Sequence, residues 1–210
     1  MGKDLERQYI IIGAGGHAAV VADILFSWGF SVKGFLDDNV AVGTEVLDAK
    51  VLGGLDSHAR HPDCLFIIGI GDNMARKRIA LAYPLDYGIA IHPSAIIGQY
   101  VDIGRGTVLM AGSVVNPRSA IGEHCIINTR ASVDHDSKVG DFAHISPGAA
   151  LGGFVTIGSG SHVGIGACVR NTISICDNVV IGAGAAVVKD IATPGVYVGV
   201  PARQKRGMHS

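Results

Sequence analysis

Aromatic residues make up only 6% of this 210-residue chain and charged residues 17%, and neither sign of charge prevails, with 17 Lys and Arg against 18 Asp and Glu. Without a basic excess, bulk-charge binding of nucleic acid is not expected. The hydrophobic class reaches 48% at a net charge of −1, a composition that excludes disorder. Four cysteines (Cys64, Cys125, Cys168, Cys176) show no Cys-x-x-Cys spacing, so reduced, partly buried thiols are expected rather than a disulfide framework. His17, Asp23 or glycines interrupt every long apolar run, so no transmembrane helix and no membrane partner are expected. Met1–Gln8 is polar and lacks the apolar core of an export signal, which makes a cytoplasmic location the expectation.

Glycine, by contrast, fills 30 of the 210 positions, about twice its usual share. The reason is a repeat. From Ile91, every sixth residue through Val187 is Ile, Leu or Val, seventeen positions without a gap. Two residues before each, the side chain is usually small, as at Thr107, Ser119, Cys125, Ala131, Ser137 and Ser161, and glycine often follows, as at Gly104, Gly140 and Gly158. A period of six is neither that of a helix nor that of a hairpin strand. It fits short strands joined at corners, with one aliphatic side chain per strand pointing inward and the glycine easing the corner. Three hexads then close one triangular coil, and five to six coils stack about 4.8 Å apart as parallel strands. The pattern resembles the left-handed parallel β-helix of the hexapeptide-repeat acyltransferases.

Residues 1–88 lack the repeat and form the first expected domain, with 89–210 as the second. Tyr9–Ile12 reads as a strand running into Gly13-Ala-Gly-Gly-His17, then a helix over 18–29 with Val20, Val21, Ile24 and Leu25 on one side. Val32–Leu36 and Leu65–Ile70 read as further strands, and a helix through Arg76 to Leu81 follows the latter. Strand, glycine turn, helix and strand make a small Rossmann-like βαβ unit with a parallel sheet.

Gly13-x-Gly15-x-x-Ala18 fits a nucleotide turn, in which bare backbone lets phosphates approach a helix N-terminus. Asp37 and Asp38 end the next strand, placed to accept ribose hydroxyls. By itself this fits a sugar nucleotide, a nicotinamide dinucleotide or an empty structural unit, although so short a segment is small for a full dinucleotide domain. Among nine histidines, His58, His61 and His209 fall in loops or the tail, and His124 takes a turn position where exposure is expected. His144 and His162 lie one coil apart, on one side of the prism. His135 is half a coil from His144, so a site using both must draw them from two subunits, and threefold closure gives three equal clefts. Flanked by Asp134 and Asp136, His135 has the setting of a general base; the spacing alone equally fits a solvated turn.

The segment Asn128–Gly148, with Gly13–His17, Gly34–Asp38, Ile70–Asn73 and Gly199–Arg203, resembles the bacterial nucleotide-sugar N-acetyltransferases that act on bacillosamine and perosamine precursors, of which sialic acid O-acetyltransferases are relatives. The resemblance implies a homotrimer with acetyl-CoA in clefts between adjacent β-helices and no metal. It implies His135 as base with Asp136 raising its basicity, His144 at the acetyl carbonyl, and Ile165 and Ala183 along the CoA path. It places Gly15, Gly16, His17, Asp37, Asp38 and Gly71 on a UDP- or GDP-linked 4-amino-4,6-dideoxy sugar. Direct attack of the amine on the thioester is implied, with His144 stabilising the oxyanion. Cys125 and Cys168 are expected to pack inward, and Lys189, Arg203, Lys205 and Arg206 to pair with CoA phosphates or form a solvated tail. O-acetylation of sialic acid is the nearest rival and a non-catalytic repeat scaffold the different-class one. A zinc carbonic anhydrase would need a His-x4-His pair that the chain lacks. A sugar-1-phosphate nucleotidyltransferase would need a basic Gly-rich loop, and Gly13–His17 has no Lys or Arg.

Overall fold

The computed structural model describes residues 7–205. Arg206 and His209, both considered above, lie outside them. The chain opens as β1 (Tyr9–Ile12), α1 (Gly16–Ser27) and β2 (Val32–Leu36), continues through a hairpin of β3 (Glu45–Val46) and β4 (Ala49–Gly53), and completes its sheet with β5 (Leu65–Ile68) before α2 (Asn73–Ala82). The sheet order is β3-β4-β2-β1-β5, parallel except for β3 against β4. The fully apolar β1 and β5 are buried; β1 is central, and β5, at the end of the order, is flanked by Tyr87, whose backbone bridges Phe66. Val20 departs from expectation: α1 buries Ala18, Val21, Ala22, Ile24 and Leu25, while Val20 faces outward.

From Ala90 the hexads take over. Seventeen strands of two or three residues run from Ala90–Ile91 to Ala186–Val187, each ending on the repeated aliphatic residue. They stack as three parallel sheets in which each residue pairs with its counterpart one full coil away, such as Ile127 with Ile145. The repeated residues from Leu109 to Val187 form one buried core, while Ile97 at the uncovered end stays open. The small residues two positions earlier are buried too, and their hydroxyls link coils: Ser137 Oγ donates to the Gly152 carbonyl and accepts from Val155 N–H.

The glycines have a different task from the one expected. Left-handed corner backbone falls three residues after each aliphatic position from Ile97 to Ile181, and non-glycine residues often carry it. Tyr100, Arg118, His124, Asp136, Phe142 and Phe154 all have φ between 53° and 61°. The glycine directly after the aliphatic residue instead lets the next coil approach. A Cβ at Gly140 would stand 2.7 Å from Ser159 N, and one at Gly152 2.6 Å from Asn171 N.

The α/β unit docks on the prism. Its core continues onto the outward residues Ala90, Val108 and Ile126 of one sheet. Arg76 of α2 is the rivet. It is 1% exposed and spends Nε on the His124 carbonyl, Nη1 on those of Ile70 and Gly71, and Nη2 on Asn73 Oδ1 and the Phe142 carbonyl. Asn73 Nδ2 in turn donates to the carbonyls of Gly160 and Ser161.

Docking also overturns the exposure expected for His124. Its ring is buried, stacked on Phe142 and edge-on to Tyr87. Cys125 packs inward as expected, but Cys168 is exposed: it directly precedes the aliphatic Val169, and residues in that slot point away from the core.

Candidate active site

Two groups of chemically capable side chains emerge on different faces of the prism. The first is a corner carrying His135, beside an open cleft of about 700 Å³ lined by Asn116, Asp134, Gly153, Phe154, Cys168 and Arg170 among others. Asp136 Oδ2 lies 2.7 Å from His135 Nδ1. A carboxylate only accepts, so Nδ1 carries the ring proton and Nε2 keeps its lone pair. The two flanking aspartates divide their work. Asp134 Oδ1 accepts His135's own N–H and Asn116 Nδ2, fixing the backbone, while Asp136 holds the ring. Arg118 grips Asp136 with two 2.7 Å hydrogen bonds. That grip, followed by the bond from His135, brings the Asp136 carboxyl down to about 2. Phe154 meets the imidazole edge-on at 5.4 Å. Gly153 leaves the space the ring occupies, since a Cβ there would stand 2.8 Å from Cε1 and Nε2.

The second group lies where the α/β unit meets the prism. His144 stacks on His162 at 4.7 Å with 6° between planes, as their strand register requires. Asn128 Oδ1 accepts the Thr129 N–H, which turns Nδ2 toward His144 Nε2 at 2.9 Å. His144 Nε2 therefore accepts, so the ring carries its N–H on Nδ1, and Asn128 is an amide donor beside Nε2. Burial, then His162, Arg76 and His17, lower the His144 imidazole to about 3. Burial, then Arg76, lower His17 to about 4, and its Nε2 has no hydrogen-bond partner among the described residues.

His17 opens α1 beside Gly15 and Gly16, where an added Cβ would meet nothing within 4 Å. No side chain among the described residues caps α1, so its first N–H groups have no side-chain acceptor there. Gly13 needs its glycine for a φ of 98°. An added Cβ at Gly71 likewise meets open space. Asp37 and Asp38 line a cavity of about 410 Å³ with Asn39, Arg78 and Tyr83. Asp37 braces the glycine turn by accepting from Ala14 and Asn39 N–H, and Asp38 accepts from Leu55 N–H.

The cleft beside His135 includes none of His144, Ile165 and Ala183. Ile165 and Ala183 sit exposed on another corner, one coil apart. Lys189, Arg203 and Lys205 are exposed near the far end. Sequence reasoning missed Arg118, Asn116, Asn128, Gly153 and Arg78; the first two stand one coil before Asp136 and Asp134, a spacing that could have revealed them. Among the described residues, no group of three His, Cys, Asp or Glu is placed to hold a metal, and no helix is long and apolar enough to cross a membrane.

Comparison with known proteins places this geometry. Residues 8–82 match the PglD N-terminal domain family. A 112-residue stretch is 38% identical to UDP-N-acetylbacillosamine N-acetyltransferase of Bacillus subtilis, covering 50% of this chain and 52% of that protein, so the match spans about half the length of this curated relative. The acetyltransferase domain of PglB from Neisseria gonorrhoeae superposes with a TM-score of 0.90 at 36% identity, over 95% of this chain and 100% of that one; the same domain has been solved with acetyl coenzyme A. PerB from Caulobacter crescentus, in complex with CoA and GDP-perosamine, superposes with a TM-score of 0.88 at 36% identity, over 96% and 98% of the two chains. By fold, length and identity, the chain belongs to the bacterial nucleotide-sugar N-acetyltransferases built on a left-handed β-helix of hexapeptide repeats.

Proposed function

We propose that this protein transfers the acetyl group of acetyl-CoA to the amine of a UDP- or GDP-linked 4-amino-4,6-dideoxy sugar, with His135 as general base. The observation that carries this reading is the His135–Asp136 pair, which leaves Nε2 as acceptor on a half-exposed ring beside a cleft. A neutral sugar amine attacks the thioester carbonyl, Nε2 takes the amine proton as the C–N bond forms, the C–S bond breaks, and the imidazolium passes that proton to CoA, which leaves as its thiol. No covalent acyl-enzyme is needed. The complexes of the PglB domain and PerB support acetyl-CoA and a nucleotide sugar as the two substrates.

In this reading residues 1–88 hold the nucleotide sugar and 89–210 hold acetyl-CoA. Phosphates meet the α1 N-terminus at Gly15, Gly16 and His17, and the nucleoside enters the cavity of Asp37 and Asp38, with Gly71 beside the sugar. Ile165 and Ala183 follow the CoA chain, and His144 meets the acetyl carbonyl, with the Asn128 amide beside it. Since His135 and the His17–His144 group occupy different faces, one site takes them from two copies, and a homotrimer closes three such sites. In this reading the reaction is cytoplasmic.

The test is CoA release by purified protein given acetyl-CoA and a panel of UDP- and GDP-4-amino-4,6-dideoxy sugars. Turnover is expected with one of them, reduced about 100- to 10,000-fold in His135→Ala. Undiminished turnover in that variant refutes the base assignment; acetyl-CoA binding without turnover on any amine moves the acceptor to a hydroxyl, as on sialic acid.

A further inference from the structure

We propose that Arg118 is a positioning residue for the base: it fixes the carboxylate that orients His135 and offsets that carboxylate's charge, so the imidazole remains a free acceptor at lower pH than the Asp136–His135 pair alone allows. The inference rests on His135 being the base.

Arg118 stands one coil before Asp136 on the same corner, and both hold left-handed backbone, with φ of 61° and 58°. Left-handed corners hold both side chains on one edge of the prism, so the guanidinium meets the carboxylate in the two-pronged geometry that Arg forms with planar anions. Its Nε binds Oδ1 and its Nη2 binds Oδ2, each at 2.7 Å. Oδ2 is also the atom that accepts His135 Nδ1–H, so a single oxygen joins the cation to the base. The carboxylate can neither rotate away from the ring nor present its full negative charge to it.

The other groups around His135 make this offset necessary. Asp134 contributes a second negative charge, satisfied by Asn116 and the His135 N–H. Arg170 lines the same cleft two coils along from Asp134, while Asn116, Gly153, Phe154 and Asn171 are uncharged. Two carboxylates beside one imidazole favour its protonated form. A base must be unprotonated to work, and Arg118 supplies the opposing charge on the carboxylate that touches the ring. An ordinary exposed ion pair would leave the base unaffected, and this difference makes the proposal measurable.

The experiment compares wild type, Arg118→Ala, Arg118→Lys and His135→Ala, using the acceptor that releases CoA in the panel above. Arg118→Ala is expected to move the acid limb of kcat/KM up by about half to one pH unit. Activity at pH 6 then falls about 3- to 10-fold, with a smaller loss on the alkaline plateau and an unchanged KM for acetyl-CoA. Arg118→Lys keeps the charge and loses the two-pronged grip, so its acid limb stays near wild type while its plateau falls. The His135 Cε1–H NMR signal of the substrate-free enzyme, assigned by its loss in His135→Ala, should show the same displacement for Arg118→Ala. Should that variant not fold, Arg118→Gln removes the charge with less change of shape and is expected to move the limb in the same direction. An acid limb unmoved or displaced downward in a folded, neutral variant overturns the proposal. Full turnover by His135→Ala instead overturns the base assignment beneath it, so the two failures are distinguishable.

Discussion

Acid should loosen this protein well before its carboxylates protonate, because three histidines are buried in neutral form around one permanent cation. Burial is the main cause in each case. With Arg76 it brings His17 and His124 to about 4, and with His162 and Arg76 it brings His144 to about 3. In an unfolded chain each imidazole protonates near pH 6.5. Between those values the unfolded state binds protons that the native state refuses, so stability is intact above about pH 6.5 and falls as pH is lowered toward 4. Each group costs about 1.4 kcal/mol per pH unit, or about 2 kcal/mol at pH 5. Because all three respond to the same Arg76, the combined loss from pH 7.5 to 5 is about 4 to 6 kcal/mol. Asp136 works in the opposite sense and elsewhere: held at about 2, it contributes stability above pH 4 that is lost only as pH falls through its folded value.

Urea unfolding at fixed protein concentration, followed by the fluorescence of the single Trp28, measures the effect. Trp28 Nε1 donates to the Ile91 carbonyl, so it sits on the docking seam. His124→Phe keeps a flat ring between Tyr87 and Phe142 and removes one titrating group; its stability should fall less steeply with acid, by about 1.4 kcal/mol per pH unit. Equal slopes for wild type and His124→Phe between pH 6.5 and 4.5 would refute the reasoning.

Gly153→Ala places a methyl group against the His135 ring and should lower kcat at least about 10-fold by displacing the base, with the melting temperature little changed; steady-state kinetics and a thermal melt read both. Arg76→Met strips the carbonyls of His124, Phe142, Ile70 and Gly71 of their buried donor and should cost about 3 to 5 kcal/mol in urea unfolding. Arg76→Lys should recover little, because an ammonium cannot reproduce a flat five-donor fork.

The prism is legible in the sequence because its core position recurs at a fixed interval and its partners lie one period away. Ile127, Ile145 and Val163 announce both burial and pairing. The corner backbone is not legible: left-handed φ is carried by Arg118, Asp136 and Phe154 as readily as by Gly160, while the visible glycines mark close approach between coils. The proposed base His135 and its Asp136 are readable as neighbours in the chain. Their support is not, since Arg118 acts across one coil and Arg76 reaches partners 48 and 66 residues away. Docking of the α/β unit also explains why His124 is buried in a slot that elsewhere meets solvent. Cys168 stands a single position from the small-residue slot of its hexad, enough to turn a side chain from core to surface.

The strict in-register pairing of successive coils makes chain length a coarse-grained variable in this molecule. Lengthening the prism by one hexad upstream of Pro117 would preserve every inward aliphatic residue and still carry His135 a third of a turn around the axis, together with its cleft, and would turn the carbonyls of His124 and Phe142 away from Arg76. Lengthening it by three hexads would return His135 to its own face, merely displaced along the axis by about 4.8 Å. Neither change would break the inward core of the prism, yet only whole turns would keep the corner of His135 on the same side as before. Whole revolutions are therefore the steps in which this prism can lengthen there and keep His135 on its present side.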